Sequence, residues 1–214
     1  MQIAEYYDSV ASIWDDDYAE AKAARIVTAM ASIHRGGACV MDVGCGSGAM
    51  FADLMDGGAC EIEGVDISGE MIRLAQKKYG PDPRIHLTQA DFLQLEQPGY
   101  EVIVSFNAYH HFLQPRDFLK KARELLLPRG RLTVAFPFGR ERINTLSSVM
   151  PGGLARQLLP AEGEAKLWRE FFAIDCICDN DSLFLLSGTT KKAHHFTNFI
   201  PRGGFRTAEN SVML

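Results

Sequence analysis

The sequence contains no apolar run of about 18 residues, the shortest stretch typical of a membrane-spanning helix, so no membrane span is expected. Residues 1–5 lack the basic-then-apolar order that begins a secretory signal peptide. The five cysteines are odd in number and lack paired spacing, which gives no sign of a disulfide framework and favours a cytoplasmic location. Internal repeats and low-complexity tracts are also missing.

The chain has no excess of basic residues either. It carries 22 Lys and Arg residues against 27 Asp and Glu, a formal charge of −5. A mildly acidic surface repels phosphate backbones, so we expect no nucleic-acid partner. The 214 residues, 47% of them hydrophobic, suit one α/β domain with a substantial core.

The most informative stretch is a glycine-rich loop that follows a short apolar run. The run carries Asp42 near its end, and Gly44, Gly46 and Gly48 follow at alternate positions. Glycines let a strand turn sharply into a helix and let a ligand lie against bare backbone. The next apolar run ends in Asp66, whose carboxylate suits a ribose diol. Together the two features predict a nucleoside-binding βαβ unit.

The segment D-V-G-C-G-S-G at residues 42–48 resembles motif I of the class I S-adenosylmethionine (SAM) dependent methyltransferases. In that family the loop closes over the methionine part and the sugar of the cofactor. The resemblance implies SAM as the cofactor and S-adenosylhomocysteine (SAH) as the product. Gly44, Gly46 and Ala49 also satisfy the G-x-G-x-x-A pattern of dinucleotide enzymes, so a nicotinamide-dependent oxidoreductase stays an alternative.

Later segments resemble the same family in the same order. The stretch V-D-I-S-G-E-M at residues 65–71 implies an acid on the ribose and an apolar neighbour against adenine. The stretch Q-A-D-F at residues 89–92 implies an acid that accepts from the adenine amino group. A fourth apolar run, residues 100–106, implies contacts with the methionine end of the cofactor and with the acceptor. The cofactor-binding residues that the resemblance implies are Asp42, Gly44, Cys45, Gly46, Gly48, Asp66, Ile67, Met71, Asp91, Phe92, Ser105 and Asn107.

The order of apolar runs and helical segments predicts the fold class and its divisions. We expect an α/β domain, a seven-stranded mostly parallel sheet with helices on both faces and an antiparallel C-terminal hairpin, which is the class I methyltransferase fold. It spans residues 1–190: a helical N-terminal lid at 1–35, a cofactor-binding half at 36–136, and a substrate-side insertion with the terminal hairpin at 137–190. Residues 191–214 form a C-terminal extension to which the sequence assigns no role. The L-L-L-P-R-G-R-L stretch at 125–132 resembles the family's turn into strand five, with Arg129 in place of a glycine.

Methyl transfer from a sulfonium needs positioning and desolvation more than side-chain chemistry. A base is needed only where the acceptor must lose a proton, and His110 and His111, just beyond strand four, are the candidates. The alternative is that one histidine caps the following helix and the other only packs. Two adjacent histidines without a third ligand at a recognisable spacing predict no metal site.

The acceptor is the least determined feature of the sequence. The Tyr-His-His-Phe segment at residues 109–112 is similar to that of quinone-biosynthesis-like methyltransferases, which implies a small-molecule acceptor. Tyr6, Tyr7, Trp14 and Tyr18 suit either an aromatic lid over the acceptor or a helix that packs on the sheet. A SAM-binding module without catalysis also stays open, and the attacked atom and the oligomeric state are not determined.

Overall fold

A seven-stranded sheet forms the centre of the protein. The computed structural model describes residues 2–14 and 19–191, except for the side chains of residues 19 and 20. The strands are β1 Ala38–Val43, β2 Ala59–Asp66, β3 Ile85–Gln89, β4 Tyr100–Phe106, β5 Leu126–Phe136, β6 Phe172–Asn180 and β7 Leu183–Thr190. Their order is β3-β2-β1-β4-β5-β7-β6; β7 runs antiparallel to both β5 and β6, and the other neighbouring pairs are parallel. The predicted parallel sheet with an antiparallel C-terminal hairpin is therefore confirmed.

Helices precede and connect the strands. The α-helices of the described ranges are α1 Ile3–Val10, α2 Ala19–Ser32, α3 Phe51–Asp56, α4 Gly69–Tyr79, α5 Pro115–Leu125, α6 Arg140–Ser148 and α7 Ala161–Trp168. Local signals set the start of two of them. Ser68 Oγ accepts a hydrogen bond from the Met71 N–H at the start of α4, and Pro115 occupies the first turn of α5.

Two hydrophobic cores lie on opposite faces of the sheet, because successive strand residues point to opposite sides. Met41 of β1 packs in the core that holds Phe118 of α5 and Trp168 of α7. Val40, its neighbour on β1, packs in the other core with Leu54 of α3. Helices thus cover both faces, as the alternation of strands and helices predicted.

The strand order reverses direction between β1 and β4. From β1 the chain proceeds outward to β2 and β3, then returns to the other side of β1 with β4 and β5. Connections on either side of this point diverge, which leaves a crevice at the carboxyl ends of the strands. The glycine loop and Asp66 both lie at this end of the sheet because they follow β1 and end β2.

The boundaries differ from the expected ones in a few places. The N-terminal region, expected to be helical over about 3–35, contains α1, a short 3₁₀ turn at Ala11–Ile13, and α2, which ends at Ser32. The helix α5 passes directly into β5 at Leu126, so that the expected turn into strand five is part of the strand. Residues 15–18, which include Tyr18, and residues 192–214 of the C-terminal extension lie outside the described residues.

Two further expectations concern membranes and thiols. Among the helices at residues 2–14 and 19–191, none is both long enough and apolar enough to cross a membrane. All five cysteines are free thiols, including Cys176 and Cys178 on β6.

Arg129 generates a stability prediction, because its φ of +66° lies in the left-handed region. The left-handed conformation costs a residue with a Cβ roughly 1–2 kcal/mol, a cost that glycine avoids. Glycine loses more backbone freedom on folding, which offsets about half of this benefit. We expect Arg129→Gly to raise the free energy of unfolding by about 0.5–1 kcal/mol in urea titrations. Arg129→Ala is the control, since it removes the side chain and keeps the Cβ. Equal stabilisation by both variants would contradict the backbone explanation.

Candidate functional site

A cavity of about 380 Å³ lies at the carboxyl ends of β1, β2 and β4, at the reversal of strand order. This volume falls within the range of roughly 300–1,000 Å³ that is typical of small-molecule sites. Strand ends and the glycine loop form its floor, while Ile3, Tyr7 and Trp14 of the N-terminal segment contribute to its wall. A segment expected to act as a lid therefore does border the cavity.

Most of the predicted cofactor residues meet at this cavity. Those that line it are Gly44, Cys45, Gly46, Asp66, Ile67, Met71, Asp91, Phe92 and Asn107. They come from four separate segments that follow β1, β2, β3 and β4. The sheet brings these segments together because carboxyl ends of parallel strands share one edge.

The glycine loop can lie against its neighbours only because a side chain is missing. Gly44 has a φ of +71°, and a Cβ there would lie 2.5 Å from the Cβ of Ala108, which follows β4. The Gly44 and Cys45 N–H groups donate to the Val65 carbonyl at 2.8 and 3.1 Å, which holds the loop on β2. Gly46 has a φ of +53° and open space where its Cβ would be. Its bare backbone thus faces the region that a ligand would occupy.

Asp66 joins the loop to the start of α4. Its Oδ2 accepts from the Gly46 N–H and its Oδ1 accepts from the Ser68 N–H, both at 2.9 Å. Burial raises the pKa of Asp66, and the Ser68 and Gly46 N–H groups oppose that shift. A carboxylate offers about four lone-pair sites, more than these N–H groups occupy, so Asp66 can still accept from a hydroxyl in the cavity.

Asp91 and Asn107 have backbone roles as well as cavity positions. Asp91 Oδ1 accepts from the Leu93 N–H at 2.9 Å and so caps the turn at Phe92–Gln94. Asn107 has a φ of +57°, a conformation that asparagine tolerates better than most residues and that is frequent at functional sites. Its N–H donates to the Ala135 carbonyl at 2.8 Å, which fixes the direction of the chain after β4.

Three predicted cofactor residues do not line the cavity. Asp42 is buried within β1, between β2 and β4, and Ser105 is buried within β4. Gly48 packs against α3 and α4, since a Cβ there would lie 2.8 Å from the rings of Phe51 and Tyr79. Each of these residues supports the site from outside the cavity lining, so a direct contact between them and the cofactor stays a prediction.

His111 lies at a junction of three segments. Its Nδ1 is 2.9 Å from the Leu154 carbonyl of the insertion, and its Nε2 is 2.6 Å from the Tyr7 hydroxyl of α1. A carbonyl can only accept, so neutral His111 carries its hydrogen on Nδ1 and the Tyr7 hydroxyl donates to Nε2. Burial lowers the pKa of His111, partly opposed by the Leu154 carbonyl, while burial and the nearby Tyr6 and Asp66 raise the pKa of Tyr7. Both groups are therefore neutral at pH 7.

His110, the second predicted base, does not line the cavity. Its ring lies tilted against the ring of His111, with centroids 3.9 Å apart, and also packs against the ring of Phe136 at 5.2 Å. Its Nδ1 is buried with no hydrogen-bond partner among the described residues. Burial, together with His111 and Arg156, lowers the pKa of His110 well below 6.5. The structure thus separates two adjacent histidines into one at the cavity and one behind it.

Several functional positions escaped the sequence reasoning. The cavity is also lined by Gln114 and Asp117 at the start of α5, and the Leu154 carbonyl orients His111 from the insertion. The sequence places Asp117 near the start of the helix that follows strand four, but it does not show that the Asp117 side chain points into the cavity. A backbone carbonyl supplied from 43 residues away leaves no signal in the sequence.

The charges around the cavity have one sign. Its charged side chains are the carboxylates of Asp66, Asp91 and Asp117, and no Lys or Arg lines it among the described residues. In residues 2–14 and 19–191, no group of three or more His, Cys, Asp and Glu side chains is arranged to hold a metal ion.

Comparison with known proteins gives the chain its relatives. Residues 40–130 match the family described as methyltransferase domain. An uncharacterized methyltransferase of Mycobacterium tuberculosis is 32% identical over 133 residues, which cover 60% of this chain and 66% of that protein. The tRNA U34 carboxymethyltransferase of Pseudoalteromonas atlantica is 35% identical over 96 residues, which cover 44% of this chain and 30% of that protein. The matches thus span about two thirds of the first relative and less than a third of the second.

A solved structure extends the likeness over most of the chain. A methyltransferase solved in complex with the Haloferax volcanii Trm112 activator is similar with a TM-score of 0.74 and 19% identity. The similarity covers 91% of this chain and all of that one, at 100%. At this identity the likeness establishes the fold.

The two buried histidines generate a prediction on acid stability. Well above pH 6.5 both histidines are neutral in the folded and in the unfolded protein. Below that pH the unfolded chain binds protons more readily, because folding lowers the pKa values of His110 and His111. Stability present above the unfolded pKa is therefore lost as the pH falls from about 6.5 to 5. We expect His110→Phe to flatten this part of a plot of the free energy of unfolding against pH. Parallel curves for wild type and variant would contradict the assignment.

Proposed function

Because the chain belongs to the class I S-adenosylmethionine-dependent methyltransferases, we propose that it transfers the methyl group of SAM to a small-molecule acceptor bound in the cavity beside Asp66. SAH is then the second product. The observation that carries the proposal is the Asp66 carboxylate, held by the Gly46 and Ser68 N–H groups with lone pairs left for a ribose diol. We also propose that residues 1–190 form one domain, with an N-terminal lid at 1–35, a cofactor-binding half at 36–136, and a substrate-side insertion with the terminal hairpin at 137–190.

The residues around Asp66 suit the rest of the cofactor. Ile67 and Phe92 offer apolar surfaces for the adenine ring, and Asp91 has lone pairs for its amino group beyond the one used by Leu93. The methionine end of SAM would lie against the backbone of Gly44 and Gly46 and the side-chain amide of Asn107. Their arrangement around one cavity supports SAM as the cofactor, and Asp91 together with the antiparallel β6–β7 hairpin disfavours the nicotinamide alternative.

The chain contributes positioning and the exclusion of water. When bound, SAM supplies a methyl group on a positively charged sulfur that leaves as a neutral thioether. Ile3, Tyr7 and Trp14 cover the cavity from the N-terminal side, so an acceptor held beneath them meets the methyl group away from bulk solvent. Holding two reactants in line supplies several kcal/mol of barrier reduction, on the order of 7–11 in well-oriented systems.

His111 is the proposed proton acceptor where the acceptor must lose one. Its Nε2 lone pair receives the Tyr7 hydroxyl, so a proton can pass to Nε2 through Tyr7 Oη, and the Leu154 carbonyl stabilises the imidazolium through Nδ1–H. Burial lowers the pKa of His111, which keeps the ring in its accepting form at neutral pH. His110 has a packing role behind it.

A small acceptor and a cytoplasmic location are parts of the proposal. The acidic composition, the absence of Lys and Arg from the described lining, and a cavity of about 380 Å³ support a small molecule. The relative that acts on tRNA U34 keeps an RNA acceptor as the competing possibility. A SAM-binding module without catalysis is the second, in which the hydrogen bond between Tyr7 and His111 only joins α1 to the site.

Asp66→Asn tests the ribose contact. In the variant the amide oxygen can still accept a hydrogen bond, but the NH₂ group cannot. One of the two hydrogen bonds from the Gly46 and Ser68 N–H groups is therefore lost, together with one hydrogen bond from the ribose diol. We expect the affinity for SAH, measured by calorimetric titration, to fall about 10- to 100-fold, as for loss of 1–3 kcal/mol. Glu61→Gln, on the same strand and paired with His86, is the control and should leave the affinity unchanged. Full affinity in Asp66→Asn would overturn the ribose assignment.

His111→Phe tests the proton acceptor against its neighbour. Once an acceptor is found, the variant should lower kcat by about 10²-fold or more if that acceptor must lose a proton. His110→Phe removes the adjacent histidine from behind the cavity and should retain most of the activity. In the wild type kcat should rise as the pH passes upward through the lowered pKa of His111, and His111→Phe should remove that rise. Equal losses in both variants would contradict the separation of roles.

A further inference from the structure

The charge of the cavity bears on the kind of acceptor it takes. Asp66, Asp91 and Asp117 line it, and among the described residues neither Lys nor Arg does. Asp66 and Asp91 face the proposed cofactor site, which leaves Asp117 as a further carboxylate. Arg156, whose charge acts on the buried His110, is ion-paired with Glu164 at 2.7 Å and does not line the cavity.

The N-terminal segment has the same sign. Residues 2–17 contain five carboxylates and no Lys, Arg or His. Those acids are Glu5, Asp8, Asp15, Asp16 and Asp17. Of these acids, Glu5 and Asp8 lie on α1, which borders the cavity through Ile3 and Tyr7, so their charge raises the local concentration of cations and lowers that of anions at the site; Asp15, Asp16 and Asp17 lie outside the described residues.

Aromatic rings also line the cavity on the side of the N-terminal segment. The rings of Tyr7 and Trp14 lie edge to face with centroids 5.6 Å apart, and both line the cavity. Tyr7 in turn lies 5.3 Å from the ring of His111, edge to face. Aromatic faces attract alkylammonium groups, whereas they give no comparable attraction to carboxylate or phosphate.

We propose that the methyl acceptor is an amine, positively charged in solution, on a largely apolar body. The inference rests on the proposed function, since it assigns the acceptor of the same cavity. Aromatic rings and carboxylates bind the cation, and the apolar lining accommodates the remainder of the molecule. Carboxylates around the cavity also offset the repulsion between two cations, the ammonium and the sulfonium, within one small volume.

The reaction balances with the groups present and SAM as co-substrate. The ammonium gives one proton to Tyr7 Oη while the Tyr7 proton passes to His111 Nε2. The freed nitrogen lone pair then forms the N–C bond as the S–C bond breaks, and that electron pair stays on sulfur. The products are a methylated ammonium and SAH, and His111 releases the proton to water.

An oxygen acceptor suits this cavity less well. A hydroxyl or carboxyl group reacts as an anion or with anionic character, which the three carboxylates destabilise and no described cation offsets. An amine is cationic or neutral at every step. The sign of the lining therefore favours nitrogen as the attacked atom.

Three probes of one skeleton test the proposal on the full chain. We would titrate the SAH-saturated protein at pH 7 with 2-phenylethylamine, 2-phenylethanol and 3-phenylpropanoate. The amine should bind at least about tenfold more tightly than the carboxylate and more tightly than the alcohol. Its advantage over the carboxylate should shrink as salt is raised. Absence of an advantage for the amine, including a failure of all three to bind, would overturn the proposal.

Turnover and variants extend the same test. With SAM, mass spectrometry should detect the N-methylated amine, and a methylated alcohol or acid instead would overturn the assignment. Trp14→Leu should reduce the amine's advantage roughly fivefold, whereas Ile13→Leu, an exposed neighbour that does not line the cavity, should preserve it. An advantage undiminished in Trp14→Leu would overturn the aromatic contact.

Failure of the proposed function and failure of the amine assignment give different results. SAH affinity is measured first in every variant, so a misfolded protein is recognised by loss of SAH binding. If the wild type fails to bind SAH, the proposed function itself is wrong. If SAH binds and the amine has no advantage, only the assignment of the acceptor is wrong.

Discussion

The hydrogen bonds of one carboxylate organise the site. Asp66 accepts from the Gly46 N–H with one oxygen and from the Ser68 N–H with the other. The first bond holds the glycine loop across the end of β2, and the second fixes the backbone that begins α4. Ser68 Oγ at the same place donates to Asp8, which attaches α1 to the start of α4. The glycine loop and the start of α4 thus depend on a buried acid, and burial raises the pKa of that acid.

A second junction lies on the opposite side of the cavity. His111 receives Tyr7 from α1 and donates to the Leu154 carbonyl from the insertion, while the Arg156 N–H donates to the His110 carbonyl at 2.9 Å. Three segments far apart in the chain therefore meet around one imidazole. A buried neutral ring is a suitable junction because it offers one donor and one acceptor in fixed directions. The same property suits His111 to its proposed role as proton acceptor.

The two sides of the cavity differ in how they recognise a ligand. On the side of β2 and β3, carboxylates aligned by backbone N–H groups suit the hydroxyl and amino groups of a nucleoside. On the side of α1, the aromatic rings of Tyr7 and Trp14 suit a cation or an apolar body. One fold thus supplies a polar and an aromatic half, and the acidic lining is common to both.

The sequence by itself determined the sheet, the glycine loop and Asp66, because these depend on local patterns: apolar runs, glycines at alternate positions and an acid at a strand end. It also determined that the hairpin of β6 and β7 follows the parallel strands. Only the tertiary structure distinguished His111 from His110, since adjacent residues in a 3₁₀ turn point in different directions and their burial depends on Phe136 and the insertion. The sequence also did not distinguish the cavity residues from Asp42, Gly48 and Ser105. In the structure these three residues are packed behind the cavity and do not line it. The physical reason is that backbone pattern is local, whereas the direction, charge environment and partners of a side chain are set by segments more than 40 positions away, such as Leu154 and Tyr7 around His111.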